Sequence, residues 1–196
     1  PSSSNGFPLR ITDTAGRQTL SISSFGATGG DTVSVSGLSN LYTVTWGSTS
    51  YNFTIPATAA PWNSANCGGP SSPHTSGSMP VITSIGLPNG KSYQFQYDPV
   101  SGLLSKIIYP TGAYVSYVWG PSTTPSDPAY YEDGYYDANA CTAKYNAYSV
   151  LQRTVYDGVS TTQKQTFSYS TSWSATAATP PWTSKQTTVT TQDLVT

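Results

Sequence analysis

Two stretches of the chain repeat each other at a spacing of 22 residues: Pro88-Asn89-Gly90-Lys91-Ser92-Tyr93-Gln94-Phe95-Gln96-Tyr97 and Pro110-Thr111-Gly112-Ala113-Tyr114-Val115-Ser116-Tyr117-Val118-Trp119. Each is a turn followed by large apolar residues at alternate positions. Upstream, Val81, Ile85 and Leu87 align with Leu103, Ile107 and Tyr109 in the same register. Alternation with a period of two puts such side chains on one face of a strand. The unit is therefore strand, turn, strand, and units of this kind bury an apolar face only against their neighbours.

The rest of the chain has a strand composition too, dominated by Thr, Tyr, Val and Ser. No window carries apolar residues at i, i+3, i+4 and i+7 over several turns, and no apolar run approaches the roughly 20 residues of a membrane helix. Charged residues make up only 9 % of the chain and the formal net charge is −1, with no basic run. A nucleic-acid backbone finds nothing to bind here. Solubility that rests on Ser, Thr, Asn, Gln and Gly points to an extracellular or cell-surface protein. Near-zero net charge also removes the repulsion that holds copies apart.

The expected fold is all-β, with antiparallel hairpins forming a sheet, sandwich or partial barrel. Strands are expected near 9–12, 18–24, 31–36, 41–46, 50–55, 81–86, 91–97, 103–109, 113–119, 148–156, 164–170 and 184–194. Gly47-Ser48-Thr49-Ser50 reads as a hairpin turn between the fourth and fifth of these. One β-rich domain divides into N-terminal hairpins (1–55), an insertion rich in Pro and Gly (56–80), the repeats (81–119), a second insertion (120–147) and C-terminal strands (148–196). Connections this long inside a compact domain are uncommon. Each insertion holds one of the 2 cysteines, Cys67 and Cys141. A disulfide tying the insertions together in an oxidising compartment is the simple reading, with two free buried thiols the alternative. The chain opens at Pro1 and closes on a Thr-rich strand with no evident partner, as a processed chain or a piece of a larger precursor would.

The spacing of Tyr97-Asp98, Gly102, Pro110-Thr111-Gly112 and Tyr117 resembles the YD repeat of bacterial Rhs proteins and related surface and secreted proteins. The repeat-defining residues are Pro88, Gly90, Tyr93, Phe95, Tyr97, Asp98, Gly102, Pro110, Gly112, Tyr117 and Trp119. Asp13-Thr14-Ala15-Gly16-Arg17 is similar to half of such a unit, and Tyr156-Asp157-Gly158 to a diverged one. The likeness is good over 81–120 and weak at 9–24 and 148–170. It implies a β-scaffold, and its larger relatives enclose toxins in a shell.

No catalytic constellation emerges. The single histidine, His74, lies in a Pro- and Ser-rich stretch, where an exposed loop residue is expected, and no serine sits in a Gly-x-Ser-x-Gly elbow. Cys67, His74 and Cys141 lack both the paired spacing and the fourth ligand of a zinc site. Glu132, Asp133 and Asp137 gather oxygen ligands around Gly134, a weak calcium candidate whose spacing matches no known calcium loop. No cofactor is implied. Trp62 and Trp182, each preceded by Pro, are candidates for stacking on sugar rings, with Pro-Trp packing as the plainer reading.

The expected function is therefore structural rather than enzymatic: a YD-type scaffold that joins copies of itself by strand addition into a filament or other extended assembly. The alternatives are a carbohydrate-binding or adhesive module and a fragment of a toxin-enclosing shell.

Overall fold

Alternating apolar residues and Gly-centred turns produce fourteen strands and no helix among the described residues. The computed structural model describes residues 9–22, 30–59, 74–122, 124–125, 127–131, 141–175 and 182–195, with backbone alone for 9, 59, 127–131 and 141–143. The strands are β1 (Leu9–Thr12), β2 (Gln18–Ile22), β3 (Asp31–Val35), β4 (Tyr42–Thr54), β5 (Ala57–Ala59), β6 (His74–Gly86), β7 (Ser92–Tyr97), β8 (Leu104–Ile108), β9 (Tyr114–Pro121), β10 (Asp127–Tyr131), β11 (Cys141–Tyr145), β12 (Tyr148–Tyr156), β13 (Thr161–Trp173) and β14 (Trp182–Asp193). Eleven of them form one open antiparallel sheet in the order β1-β2-β3-β4-β6-β7-β8-β9-β12-β13-β14. The remaining three form a small sheet, β10-β11-β5.

Register sorts the side chains into rows. Phe95, Ile107, Val115 and Val155 are direct cross-strand neighbours on one face. On the other face runs the polar row Gln96, Lys106, Ser116, Thr154, Lys164 and Gln192. Such pairs contribute about 0.2–1 kcal/mol each. Beside the polar row, Tyr114 and Tyr156 stack with centroids 4.7 Å apart and Lys106 Nζ sits 3.7 Å over the Tyr114 ring. The apolar row lacks a full second layer: among the described apolar side chains only Val81 (8 % exposed) and Val115 (6 %) are buried.

The 22-residue repeat extends to individual bonds. Tyr97 donates its hydroxyl to the Ile82 carbonyl at 2.7 Å, and Trp119 donates Nε1 to the Leu104 carbonyl at 2.8 Å. Both donors and both acceptors are 22 residues apart. The turns repeat as well. Leu87 N–H donates to Lys91 O and Gly90 N–H to Leu87 O; Tyr109 N–H donates to Ala113 O and Gly112 N–H to Tyr109 O. This three-residue hairpin loop closes on a residue in the left-handed region, which Gly90 (φ 79°) and Gly112 (φ 90°) supply without a Cβ penalty.

Four of the six bulges between described strands share one chemistry, the other two skipping Ser105 and Leu151. The β4–β6 register passes from Thr45↔Ser84 to Trp46↔Ile82, skipping Thr83, whose hydroxyl donates to Thr45 O at 3.2 Å. Thr19, Thr162 and Thr183 are skipped in the same way and donate to Ile11 O, Val155 O and Ser172 O. A bulge bends its strand and increases the local twist.

Four sequence expectations need correction. Residues 47–50 do not turn: β4 runs unbroken from Tyr42 to Thr54, because β6 supplies a partner as far as Thr54↔His74. Gly47 is a strand residue there, and a Cβ on it would meet Thr83 Cγ2 at 2.6 Å. The first insertion is shorter than 56–80, since β5 begins at Ala57 and β6 at His74, which places His74 in a strand rather than in a loop. The second, 120–147, contains β10 and β11. The C-terminal strand does have a partner in the chain, pairing with β13 from Gln163↔Asp193 to Trp173↔Trp182. Of the sheet, sandwich and partial barrel expected, the first is what forms.

Candidate interaction edges

Antiparallel order sends successive connections to opposite ends of the strands, here called upper and lower. Upper connections are 13–17, 36–41, 87–91, 109–113 and 157–160; lower ones are 23–30, 55–73, 98–103, 122–147 and 174–181. Both long insertions therefore leave from the lower end, and binding residues are more often found on such connections than on tight turns.

Aspartates organise several turns. Asp98 Oδ1 accepts from Val100 N, Ser101 N and Ser101 Oγ, at 2.6–3.1 Å. Asp157 Oδ1 accepts from Val159 N and Ser160 N at 2.8 and 2.9 Å, so Tyr97-Asp98 and Tyr156-Asp157, the two Tyr-Asp dipeptides among the described residues, each end in a carboxylate that caps the next turn. The amides of Ser160 and Val159 hold the Asp157 carboxyl below the usual range. Asp13 is lowered likewise, first by the Arg17 amide and then by the Arg17 side chain, which pairs with it at 2.8 Å. Burial pushes the hydroxyls of Tyr97 and Tyr169 above the ordinary tyrosine value.

At the lower end the β4–β6 arm continues past the short β7–β8 hairpin. Asn52 N–H donates to Val100 O at 2.7 Å, and a Cβ on Gly102 would lie 3.0 Å from Met79 Cε and 3.2 Å from Tyr51 Cβ. The arm thus covers the Asp98 turn, leaving Ser101 only 4 % exposed. Phe53 meets the Tyr148 ring at 4.6 Å and Asn146 N–H donates to Pro56 O at 3.0 Å, which carries β4 across to β12. Beyond it β5 pairs with β11, and β11 with β10. The two insertions are therefore joined by a backbone ladder. Ser122 anchors the exit of β9, donating its amide to Ala147 O and its hydroxyl to Thr124 O while accepting from Asn146 Nδ2.

At its sides the sheet ends on β1 and β14. β1 offers only four residues, and the bulge at Thr19 lies in its neighbour β2. β14 offers twelve, with every residue after Trp182 exposed. No Pro or Gly interrupts it.

The repeat-defining residues divide between strand and turn as expected. Tyr93, Phe95 and Tyr97 share the half-buried face of β7, Tyr117 and Trp119 that of β9, and Pro88, Gly90, Asp98, Gly102, Pro110 and Gly112 lie in turns. Of the expected bridge, Cys141 opens β11 and Cys67 lies outside the described residues. Trp62, Glu132, Asp133 and Asp137 also lie outside them. Trp182 is half-buried opposite Trp173, with Lys185 Nζ 5.4 Å from its ring centroid. His74 Nε2 lies 2.8 Å from Asn52 Oδ1. Among the described residues no group of His, Cys, Asp and Glu could hold a metal ion, and no helix is long and apolar enough to cross a membrane. Ser101, Ser122 and Asn146 were not among the sequence candidates; of these only Ser101, three residues after a turn aspartate, carries a local signal. No family model, curated protein or solved structure matches the chain.

Proposed function

We propose that this chain is an extracellular scaffold of YD type that joins copies of itself through its strand edges into an extended assembly, with a structural rather than a catalytic role. The observation that carries this reading is the eleven-stranded sheet open at both sides, one of them a twelve-residue exposed strand. Unpaired strand edges are templates for further strands, and soluble monomers usually blunt them. The carboxylate-capped Tyr97-Asp98 and Tyr156-Asp157 turns support the YD assignment.

Light scattering after size exclusion, with electron microscopy of the same sample, tests the proposal. Concentration-dependent oligomers are expected; a monomer that persists at high concentration sinks it. A second reading, a fragment of a larger shell, is favoured by the half-covered row of Phe95, Ile107, Val115 and Val155, which suits a sheet wrapped around contents. In that case the isolated chain stays monomeric, and longer pieces of its precursor form closed particles.

A further inference from the structure

Around Val189 the outer strand reads the same in both directions: Gln186-Thr187-Thr188-Val189-Thr190-Thr191-Gln192, flanked by Lys185 on one side and Asp193 on the other. We infer that β14 of one copy pairs antiparallel with β14 of a second copy about a two-fold axis through Val189. The inference rests on the self-association reading and specifies its first contact.

Three observations converge on this register. The first is backbone direction. Leu194 N–H donates inward to Thr162 O. The β13–β14 register is unshifted from Gln163↔Asp193 to Ser172↔Ser184. Antiparallel ladders alternate inward and outward groups. The amides and carbonyls of Lys185, Thr187, Val189, Thr191 and Asp193 therefore point away from the sheet. A partner strand centred on Val189 meets those groups with its own, as bonded pairs Val189–Val189, Thr187–Thr191 and Lys185–Asp193, about ten backbone hydrogen bonds in all.

The second is side-chain complementarity. In this register Thr faces Thr, Gln186 faces Gln192, and Lys185 faces Asp193 twice, once at each end. Thr–Thr and opposite-charge cross-strand pairs are both favourable, while like charges placed opposite each other are not. Shifting the register by two residues in either direction loses both charge pairs. Lys185 also lies near the Trp182 ring of its own strand, an interaction compatible with a carboxylate across the edge.

The third is the contrast with the other side. β1 is four residues long against twelve for β14, and its pairing with β2 shifts at the Thr19 bulge of β2. A two-fold contact uses the same surface on both copies and closes at two. The dimer, a continuous sheet with β1 at both ends, is then the building block of any larger assembly, which must grow through other surfaces.

Charge reversal tests the register. Asp193→Lys, placing Lys opposite Lys, should raise the dimer dissociation constant about tenfold or more, as should Lys185→Asp. The Lys185→Asp, Asp193→Lys double variant should restore wild-type affinity. Val189→Cys should form a 189–189 disulfide on mild oxidation, identified by peptide mass, since bonded antiparallel pairs hold Cα atoms about 5.5 Å apart, within disulfide reach. Thr188→Cys, offset diagonally from its own copy, should link poorly. Circular dichroism verifies that each variant keeps its strands. If wild type associates but the single reversals leave its affinity unchanged, the β14 contact is wrong while self-association stands. If wild type does not associate, both fall.

Discussion

Trp119 donates its indole N–H to the Leu104 carbonyl at the position, 22 residues on, where Tyr97 donates its hydroxyl to Ile82. A repeat in sequence has become a repeat in hydrogen bonds made by chemically different donors. Each bond fastens the end of one strand to the strand before it, beside a bulge. Replacing Tyr97 with Phe removes the donor and leaves the Ile82 carbonyl half-satisfied, at about 0.5–1.5 kcal/mol in urea unfolding. Trp119→Phe should cost at least as much because packing is lost with the bond; no loss in either variant would show that the bonds are incidental.

Burial raises the Tyr97 hydroxyl above its ordinary value. A group held in its neutral form stabilises the fold fully below its unfolded pKa, about 10, and loses that contribution as pH rises through the folded value. Ultraviolet difference titration of wild type against Tyr97→Phe should show Tyr97 ionising later than the average tyrosine. Simultaneous ionisation would refute the burial.

Asp13 and Asp157 carry the opposite sign. Their carboxyls are lowered by backbone amides, so what they contribute is present above the unfolded value near 3.9 and disappears as pH falls through the depressed folded values. Carboxyl NMR should place both midpoints below that of a free aspartate. Midpoints at or above it would mean that the caps do not persist in solution.

Gly47→Ala should destabilise the chain by about 1–3 kcal/mol, because the new methyl meets Thr83 Cγ2 while the Thr83 hydroxyl is held by Thr45 O. Thr83→Ser keeps that hydroxyl and deletes the obstructing methyl. Adding it to Gly47→Ala should recover most of the loss; failure to do so would place the strain elsewhere.

The small sheet bears on the expected bridge between Cys67 and Cys141. Ala59 pairs with Ala143, two residues from Cys141, and Cys67 follows Ala59 by eight positions. Eight residues span at most about 28 Å, ample to return. A non-reducing peptide map should yield a 67–141 linked pair, and reduction should cost about 3–5 kcal/mol on the loop-entropy account. Alkylation of both thiols in protein isolated from an oxidising compartment would refute the bridge.

Strand positions were legible wherever the chain alternates, as in Tyr93-Gln94-Phe95-Gln96-Tyr97, and the Gly-centred turns were legible from local chemistry. Gly47-Ser48-Thr49-Ser50 misled for a physical reason: its turn-forming composition is local, whereas the pairing that straightens it comes from β6. That partner, beginning His74-Thr75-Ser76-Gly77-Ser78-Met79-Pro80, has no alternating pattern to announce it. Pro80 is tolerated because the β6–β7 ladder spans only Ser84 to Gly86. The two insertions were expected to be tied by a Cys67–Cys141 bridge, whereas what joins them among the described residues is backbone pairing. The β5–β11 ladder that joins them was hidden in Ala-Thr-Ala, too short for any period to show.

A sheet that is mostly one layer thick has little interior to protect, so each strand leans on the two beside it more than on any shared core. Loosening should then travel like a zipper. It would start at β1, held to β2 by four register pairs, and reach last the centre where Val81 and Val115 are shielded. Under tension the direction of pull would matter more than its total strength: peeling from the side breaks rungs one at a time, whereas pulling along the strands loads the eleven rungs between β13 and β14 together.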